Sequence, residues 1–351
     1  MKIPERKNTI KNLIDAYYES LNEPLRPHLG CSVVGHPCER YIWIIFRWVV
    51  TPKHKPRIKR LFQRGKEEEA RVVRQMRSSG VDVRSTGNNQ ETVDLGCHVG
   101  GSIDGIIHHG VPIAPNKKHI LEIKTHSLKS FNDLEKNGVE KSKPEHFIQM
   151  QLYMHGMKID RAIYFAVCKD NDETHEERIK YDKDIAEKYI KKGHKIALLD
   201  NIPEKISNDP SWYQCKICPA NEFCHQAKLT KNVNCRTCAH VTAKEYGTWS
   251  CERYDYDNIP VDNQRIGCES HVIHPDMVPW ERKETQDRWQ ATYIIEGKEV
   301  VNGEACASVY ASHELIAGKT LCADEKFNEL REFFDSRIIG SVPRETLDEQ
   351  C

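Results

Sequence analysis

The stretch at residues 100–127, GGSIDGIIHHGVPIAPNKKHILEIKTHS, decides the fold. Two apolar runs, 102–108 and 119–125, flank a connection rich in Gly, Pro and Asn, the pattern of two strands joined by a turn. Asp104 stands in the first run and Glu122 in the second, with 17 residues between them, and Lys124 follows two beyond the glutamate. Alternate residues of a strand share a face, so Glu122 and Lys124 project to one side while Ile123 enters the core. A chain that turns at HHGVPIAPNKK and returns sets Asp104 beside them. Two carboxylates and an ammonium so arranged suit phosphodiester hydrolysis assisted by a divalent cation. Hard oxygen ligands hold Mg²⁺, the cation acidifies a bound water, and the lysine orients that water or neutralises charge on the phosphate. An exposed Glu122–Lys124 ion pair is the alternative reading of the same residues.

Upstream, from Pro56 onward, Ile58, Phe62, Gly65, Glu69, Val72 and Met76 recur at steps of four and three, one face of a helix that ends near Gly80. Glu69 therefore sits on the apolar stripe, where a carboxylate needs a partner; Glu67 and Glu68 lie off it and are solvated. Short β-like pieces at 81–83 and 92–99 join the two strands above in a meander of three or four strands. Downstream come helices over 127–137 and 144–157, a buried strand over 161–167, a charged strand over 176–181 and a helix from 183 to 199. The order is that of a compact α/β core. Gln149 and Tyr153, four apart on the second helix, face one way among Phe147, Met150, Leu152 and Met154, so their polar tips require hydrogen-bond partners.

The chain has 351 residues, enough for two domains and a small third unit. Its 52 basic and 52 acidic side chains cancel, but phosphate binding follows local charge. Residues 40–66 hold nine Lys/Arg and no Asp or Glu beside Tyr41, Trp43, Phe46 and Trp48, and Lys53, Lys55, Arg57, Lys59, Arg60 and Arg64 are the candidate DNA contacts. A solvated helix face flanking a buried aromatic run would look the same. Mean hydropathy of −0.67 and the absence of a long apolar run argue against a membrane span, and the charged N-terminal stretch is unlike a secretory signal. A reducing cytoplasm is expected, where clustered cysteines read first as metal ligands.

Fourteen cysteines are present. WYQCKICPANEFCH sets Cys215, Cys218 and Cys224 at C-x2-C-x5-C, one thiolate short of a full set. Cys235 and Cys238, then Cys251 and Cys268, fit a small tetrahedral zinc ribbon, with His240, His271 and His274 nearby. Cys97, Cys168, Cys306, Cys322 and Cys351 show no ligand spacing, and His108, His109 and His126 are read as solvated. Pro203, Pro210 and Pro219 close the core, so the expected division is a nuclease-like domain at 1–225, a cysteine-rich module at 226–280 and a segment at 281–351 with a hairpin over 291–301 and a helix through Phe327, Leu330 and Phe334.

Taken in order, G-x-x-x-E (Gly65, Glu69), G-x-x-D-G (Asp104), E-x-K (Glu122, Lys124) and Q-x-x-x-Y (Gln149, Tyr153) resemble the RecB-type branch of the PD-(D/E)xK nuclease superfamily over residues 30–225. Two features depart from it: glutamate stands at 69 where histidine is common, and no proline precedes Asp104. The resemblance implies a restriction-endonuclease-like α/β core, a central mixed sheet flanked by helices, with a small cysteine-rich zinc module and a short C-terminal α+β segment. It further implies Mg²⁺ or Mn²⁺ held by Glu69, Asp104, Glu122 and the carbonyl of Ile123, with Lys124 as the catalytic cation. Gln149 and Tyr153 would position the DNA backbone or the other motif residues. Cys38, in HPCERYIWIIFRW, resembles the lone N-terminal cysteine of iron–sulfur members, including the CRISPR-adaptation exonucleases. That likeness implies a 4Fe–4S cluster on Cys38, Cys215, Cys218 and Cys224, with Cys31 as competitor for the first place and zinc as the alternative metal. The module at 226–280 is similar to one in phage-encoded nucleases. The implied function is a metal-dependent DNA exonuclease of recombination, repair or replication in the cytoplasm, that of the host if phage-encoded, with a helicase or single-strand annealing protein as partner. A structure- or sequence-specific endonuclease and a non-catalytic nucleic-acid-binding protein are the alternatives.

Overall fold

The computed structural model describes residues 9–339 apart from 23, 228 and 286; Cys351 lies outside the described residues. The chain opens with α1 (Ile10–Ser20), β1 (Leu29–Gly30), α2 (Cys31–Val34) and α3 (Glu39–Phe46). It continues through α4 (Pro56–Ser78), β2 (Asp82–Arg84), β3 (Thr92–Asp94), β4 (Val99–Ser102), β5 (Gly105–His109), β6 (His119–His126), α5 (Leu128–Ser142), α6 (Pro144–Met157), β7 (Arg161–Cys168), β8 (Thr174–Lys180) and α7 (Lys183–Leu198). Two compact units result: Met1–Pro37 with Lys53–Ala197, and Cys38–Pro52 with Leu198–Cys351. Among the described residues no helix is long and apolar enough to cross a membrane.

The first unit is built on a mixed five-stranded sheet of order β2-β5-β6-β7-β8. β6 and β7 run parallel, from Ile120↔Ala162 to His126↔Cys168, and the other pairs are antiparallel. A central strand covered on both faces reads as a nearly continuous apolar run, and β6 is buried from His119 to Ile123. β8, at the edge, stays mostly polar. Val72 and Val73 of α4 pack on Val83, Ile107, Leu121, Ile123, Ile163 and Val167, so the amphipathic stripe of α4 does cover the sheet. Phe62, expected on that stripe, is 45% exposed, because the first half of α4 extends past the sheet core.

The expected single meander is in fact two sheets. β3 and β4 leave the main sheet and pair with β1 in a second, three-stranded one, with β4 parallel to β1. The turn residues Gly96 and Cys97 end the 92–99 run early, both at positive φ. α6 packs on β3 through Gly156, where a Cβ would come within 2.2 Å of Val93 Cγ1.

The second unit continues through α8 (Tyr213–Ile217), α9 (Asn221–His225), β9 (Val241–Ala243), β10 (Trp249–Cys251), α10 (Val261–Ile266), β11 (Glu281–Lys283), β12 (Ala291–Ile295), β13 (Lys298–Asn302), β14 (Val309–Tyr310), α11 (Ser312–Cys322) and α12 (Glu325–Phe334). β12 and β13 form the expected hairpin, extended to four strands by β11 and β14, and α12 is the expected last helix. The aromatic run of α3 is the core of this unit. The Arg236 guanidinium sits 3.8 Å from the Trp48 ring centroid and also against Phe46 and Trp249, and donates to Gln264 Oε1 and the Phe46 carbonyl. Arg47 is equally buried, and Arg40 donates to the Pro203 carbonyl. These two arginines therefore serve packing and do not join the positive face expected over 40–66.

Gly156→Ala is expected to destabilise the protein by about 1–3 kcal/mol through overpacking against Val93, read as a lower urea midpoint at unchanged slope.

Candidate active site

β6 places Glu122 and Lys124 on one face and Ile123 in the core, as the two-residue period requires. Glu122 is 0% exposed, and the Lys124 ammonium pairs with it directly and reaches Asp104 Oδ2 at 3.7 Å. The β5–β6 register runs out at Gly105↔Leu121; one step further sets Asp104 opposite Glu122. Asp104 is held there by the Ile123 amide, which donates to Oδ2 at 2.9 Å. On an extended strand the N–H and C=O of one residue leave on the same edge, so the Ile123 carbonyl is turned toward this aspartate. Glu69 arrives from α4 and accepts a hydrogen bond from Gln90 Nε2 at 3.1 Å. Its carboxyl is pushed up to about 7, by burial first and then by Asp104, against Lys124 and Gln90. Burial, with Asp104 and Glu69, likewise raises Glu122 against the pull of Lys124. Burial works against the Lys124 charge, yet Glu122 and Asp104 hold its pKa above the usual lysine range, so it stays an ammonium.

Gln149 and Tyr153 face the same site from α6, both buried, and Gln149 Nε2 donates to the Tyr153 hydroxyl at 3.1 Å. That hydroxyl fits because residue 101 is glycine: a Cβ there would lie 2.9 Å from it. The two polar tips thus satisfy one another. Glu69, Asp104, Lys124, Gln149 and Tyr153 line one open cavity of about 940 Å³.

The basic lining of that cavity is not the expected one. Arg26, His28, Lys66, Arg74 and Arg77 stand on its wall, and none of Lys53, Lys55, Arg57, Lys59, Arg60 and Arg64 does. Lys59 donates to the Glu19 and Leu21 carbonyls, Arg60 pairs with Asp15 of α1, and Arg64 donates to the Lys169 carbonyl. Lys66 belongs to the basic run 40–66, and Arg74 and Arg77 were legible in principle, since they follow it at helical steps of eight and three. Of the three histidines read as solvated, His126 is buried.

The structure also gathers the cysteines. Cys38, Cys215, Cys218 and Cys224 line one small cavity with Arg40, whereas Cys31 lines the carboxylate cavity. Burial pushes Cys218 up to about 11, with Cys224, Cys38 and Cys215 adding to the rise. Cys235 rises to about 11 by burial and then by Cys268 and Cys251, and Cys238 to about 12 with the same neighbours. Among the described residues no group of three or more His, Cys, Asp or Glu has the arrangement of a metal cage. His240, His271 and His274 are committed elsewhere: His240 rests on Trp289, His271 bridges Thr237 and Ser312, and His274 caps the turn at Asp276.

Residues 50–157 match the model of the YqaJ-like viral recombinase domain. The segment is under a third of the chain and contains all seven motif residues, from Gly65 to Tyr153. No curated protein matches. Among solved structures, SSO0001 is similar at 15% identity and a TM-score of 0.40, covering 62% of this chain and 98% of that one. The alkaline exonuclease LHK-Exo from Laribacter hongkongensis is similar at 19% identity and a TM-score of 0.32, covering 52% and 89%; its complex with dAMP gives 17% identity and the same TM-score and coverage.

The carboxylate set fits a hard divalent cation. Glu122 is fully buried with the Lys124 ammonium against it, and Asp104 adds to the burial that raises Glu69 and Glu122, a repulsion that a cation relieves. A sign follows for stability without metal. Glu69 holds its proton up to about pH 7 when folded and sheds it near 4.5 when unfolded, so stability falls as pH rises between those values. The melting temperature in chelator should fall across that window, and Glu69→Gln should flatten the fall.

Proposed function

We propose that this chain is a DNA exonuclease acting in recombination, dependent on Mg²⁺ or Mn²⁺. The observation that carries the reading is the convergence of Glu69, Asp104, Lys124, Gln149 and Tyr153 on one cavity with a basic wall, with the buried Glu122 paired to Lys124. The match of residues 50–157 to a viral recombinase domain supports it.

Glu69, Asp104, Glu122 and the Ile123 carbonyl would hold the cation. When bound, it would acidify water and take up charge on the phosphate. Lys124, kept charged by Glu122 and Asp104, donates to the phosphate as negative charge builds there. The Ile123 amide fixes Asp104, and Gln149 fixes the Tyr153 hydroxyl beside Gly101. Arg26, Lys66, Arg74 and Arg77 neutralise the backbone of the strand in the cavity.

The same proposal includes a 4Fe–4S cluster on Cys38, Cys215, Cys218 and Cys224, supported by their shared cavity, and zinc on Cys235, Cys238, Cys251 and Cys268, supported by Cys251 and Cys268 standing near enough to act on Cys235 and Cys238. A helicase or single-strand annealing protein as partner, and a cytoplasmic setting, belong to this reading.

The test is Mg²⁺-dependent loss of end-labelled linear DNA against closed circular DNA. Loss of the linear form alone is expected, and Lys124→Ala should abolish it. The variant should remain folded, because Glu122 takes up a proton once its counter-ion is gone; nicking of the circle would favour an endonuclease. Lys66→Ala or Arg74→Ala should lower the salt slope of oligonucleotide binding by about one, measured by anisotropy, while Lys55→Ala should leave it unchanged. Anaerobically purified protein should show a broad visible absorbance that Cys218→Ser removes and Cys31→Ser retains.

A further inference from the structure

A buried chain of hydrogen bonds, unused by the reading above, ends at the wall of the active-site cavity. His126 of β6 sets Nδ1 3.1 Å from Ser130 Oγ of α5 and Nε2 2.8 Å from the Tyr164 hydroxyl of β7. The same hydroxyl lies 2.8 Å from Nδ1 of His146 on α6. Tyr164 is fully buried, and the His146 ring stacks on it at 5.8 Å between centroids. His146 lines the cavity with Lys124 and Gln149, and its outer nitrogen, Nε2, has no hydrogen-bond partner among the described residues.

A phenol hydroxyl carries one proton, so Tyr164 donates to one imidazole and accepts from the other. Two arrangements satisfy the whole chain. In the first, Ser130 donates to His126 Nδ1, His126 Nε2–H donates to Tyr164, and Tyr164 donates to His146 Nδ1; His146 then presents Nε2–H to the cavity. In the second every donor is reversed, and His146 presents a bare lone pair. A charge on one histidine alone keeps every hydrogen bond of the chain, because that ring then donates from both nitrogens, whereas charge on both leaves the Tyr164 hydroxyl without an acceptor. The groups facing the pair disfavour that charge. Burial acts first, then Lys124 on His146 and Lys143 and Lys169 on His126, which hold them near 3 and 4. Glu145, on the same cavity wall, is not among the groups that set either value.

An anionic strand in the cavity selects the first arrangement, since a lone pair facing a phosphate oxygen is repelled. We propose that His146 donates Nε2–H to a phosphate oxygen of the bound DNA strand, with Tyr164 and His126 as positioning residues that fix its tautomer. The inference rests on the nuclease reading for its ligand and on the hydrogen-bond chain for its geometry.

The test joins kinetics to nitrogen NMR of the full chain. With ¹⁵N-histidine protein and the oligonucleotide (dT)₃ in chelator, His146 should read as neutral, protonated on Nε2 and bare on Nδ1. His146→Ala should lower kcat/KM on linear DNA by about 10- to 100-fold, the range for a hydrogen bond to a charged group. His146→Gln, whose amide can donate, should recover part of it. Tyr164→Phe keeps the ring but should convert the single His146 tautomer to a mixture. A bare Nε2 with oligonucleotide bound, an imidazolium at neutral pH, or an unchanged kcat/KM in folded His146→Ala would each overturn the proposal. A parent protein that binds (dT)₃ with the expected tautomer yet cleaves no DNA overturns only the nuclease reading.

Discussion

The pairing of Glu122 with Lys124 on one face of β6 is the interaction the first unit depends on. A carboxylate with no exposure cannot stay charged without a counter-ion, and a cation two residues along the same strand supplies one with no further chain ordering. The pair requires β6 to be central, with helices over both faces, and requires the register of β5 that sets Asp104 opposite. A slip of one residue would turn both charges into the apolar layer that Ile123 now fills and part them from Asp104. Fold and site are therefore the same constraint seen from two sides.

Around that pair the fold arranges groups that are individually unfavourable and jointly useful. Burial first, and then the neighbouring carboxylates, raise Glu69 and Glu122, and the same carboxylates keep Lys124 charged. Beside them Gln149 pairs with Tyr153, and Tyr164 pairs with two neutral histidines, through hydrogen bonds. Such networks are stable when every member is paired, and the nitrogen left over is the one that faces the cavity.

The second unit is organised on another principle. Its centre is the Arg236 guanidinium enclosed by three aromatic rings, with thiols and a buried His271–Ser312 network around it. In the linear sequence, Arg40 and Arg47 beside an aromatic run looked like part of a DNA-binding surface. The tertiary structure spends them on packing, because residues 38–52 belong with a segment some 150 positions later. Charge counts over a window carry no such information.

What the sequence by itself determined is periodic and local. Helical spacing placed Glu69 on the face of α4 that meets the sheet, strand alternation placed Glu122 with Lys124, and a four-residue step joined Gln149 to Tyr153; each follows from backbone geometry. Most helices and strands from 56 to 198 were legible for the same reason, but not β4, which straddles the two runs expected as separate strands. Tertiary structure alone decided the rest. It sent β3 and β4 to a second sheet, turned Lys59 and Arg60 toward α1, brought Arg26 and Arg77 to the cavity wall, and buried His126 against Tyr164. These depend on which distant surfaces meet, and no short-range period encodes that.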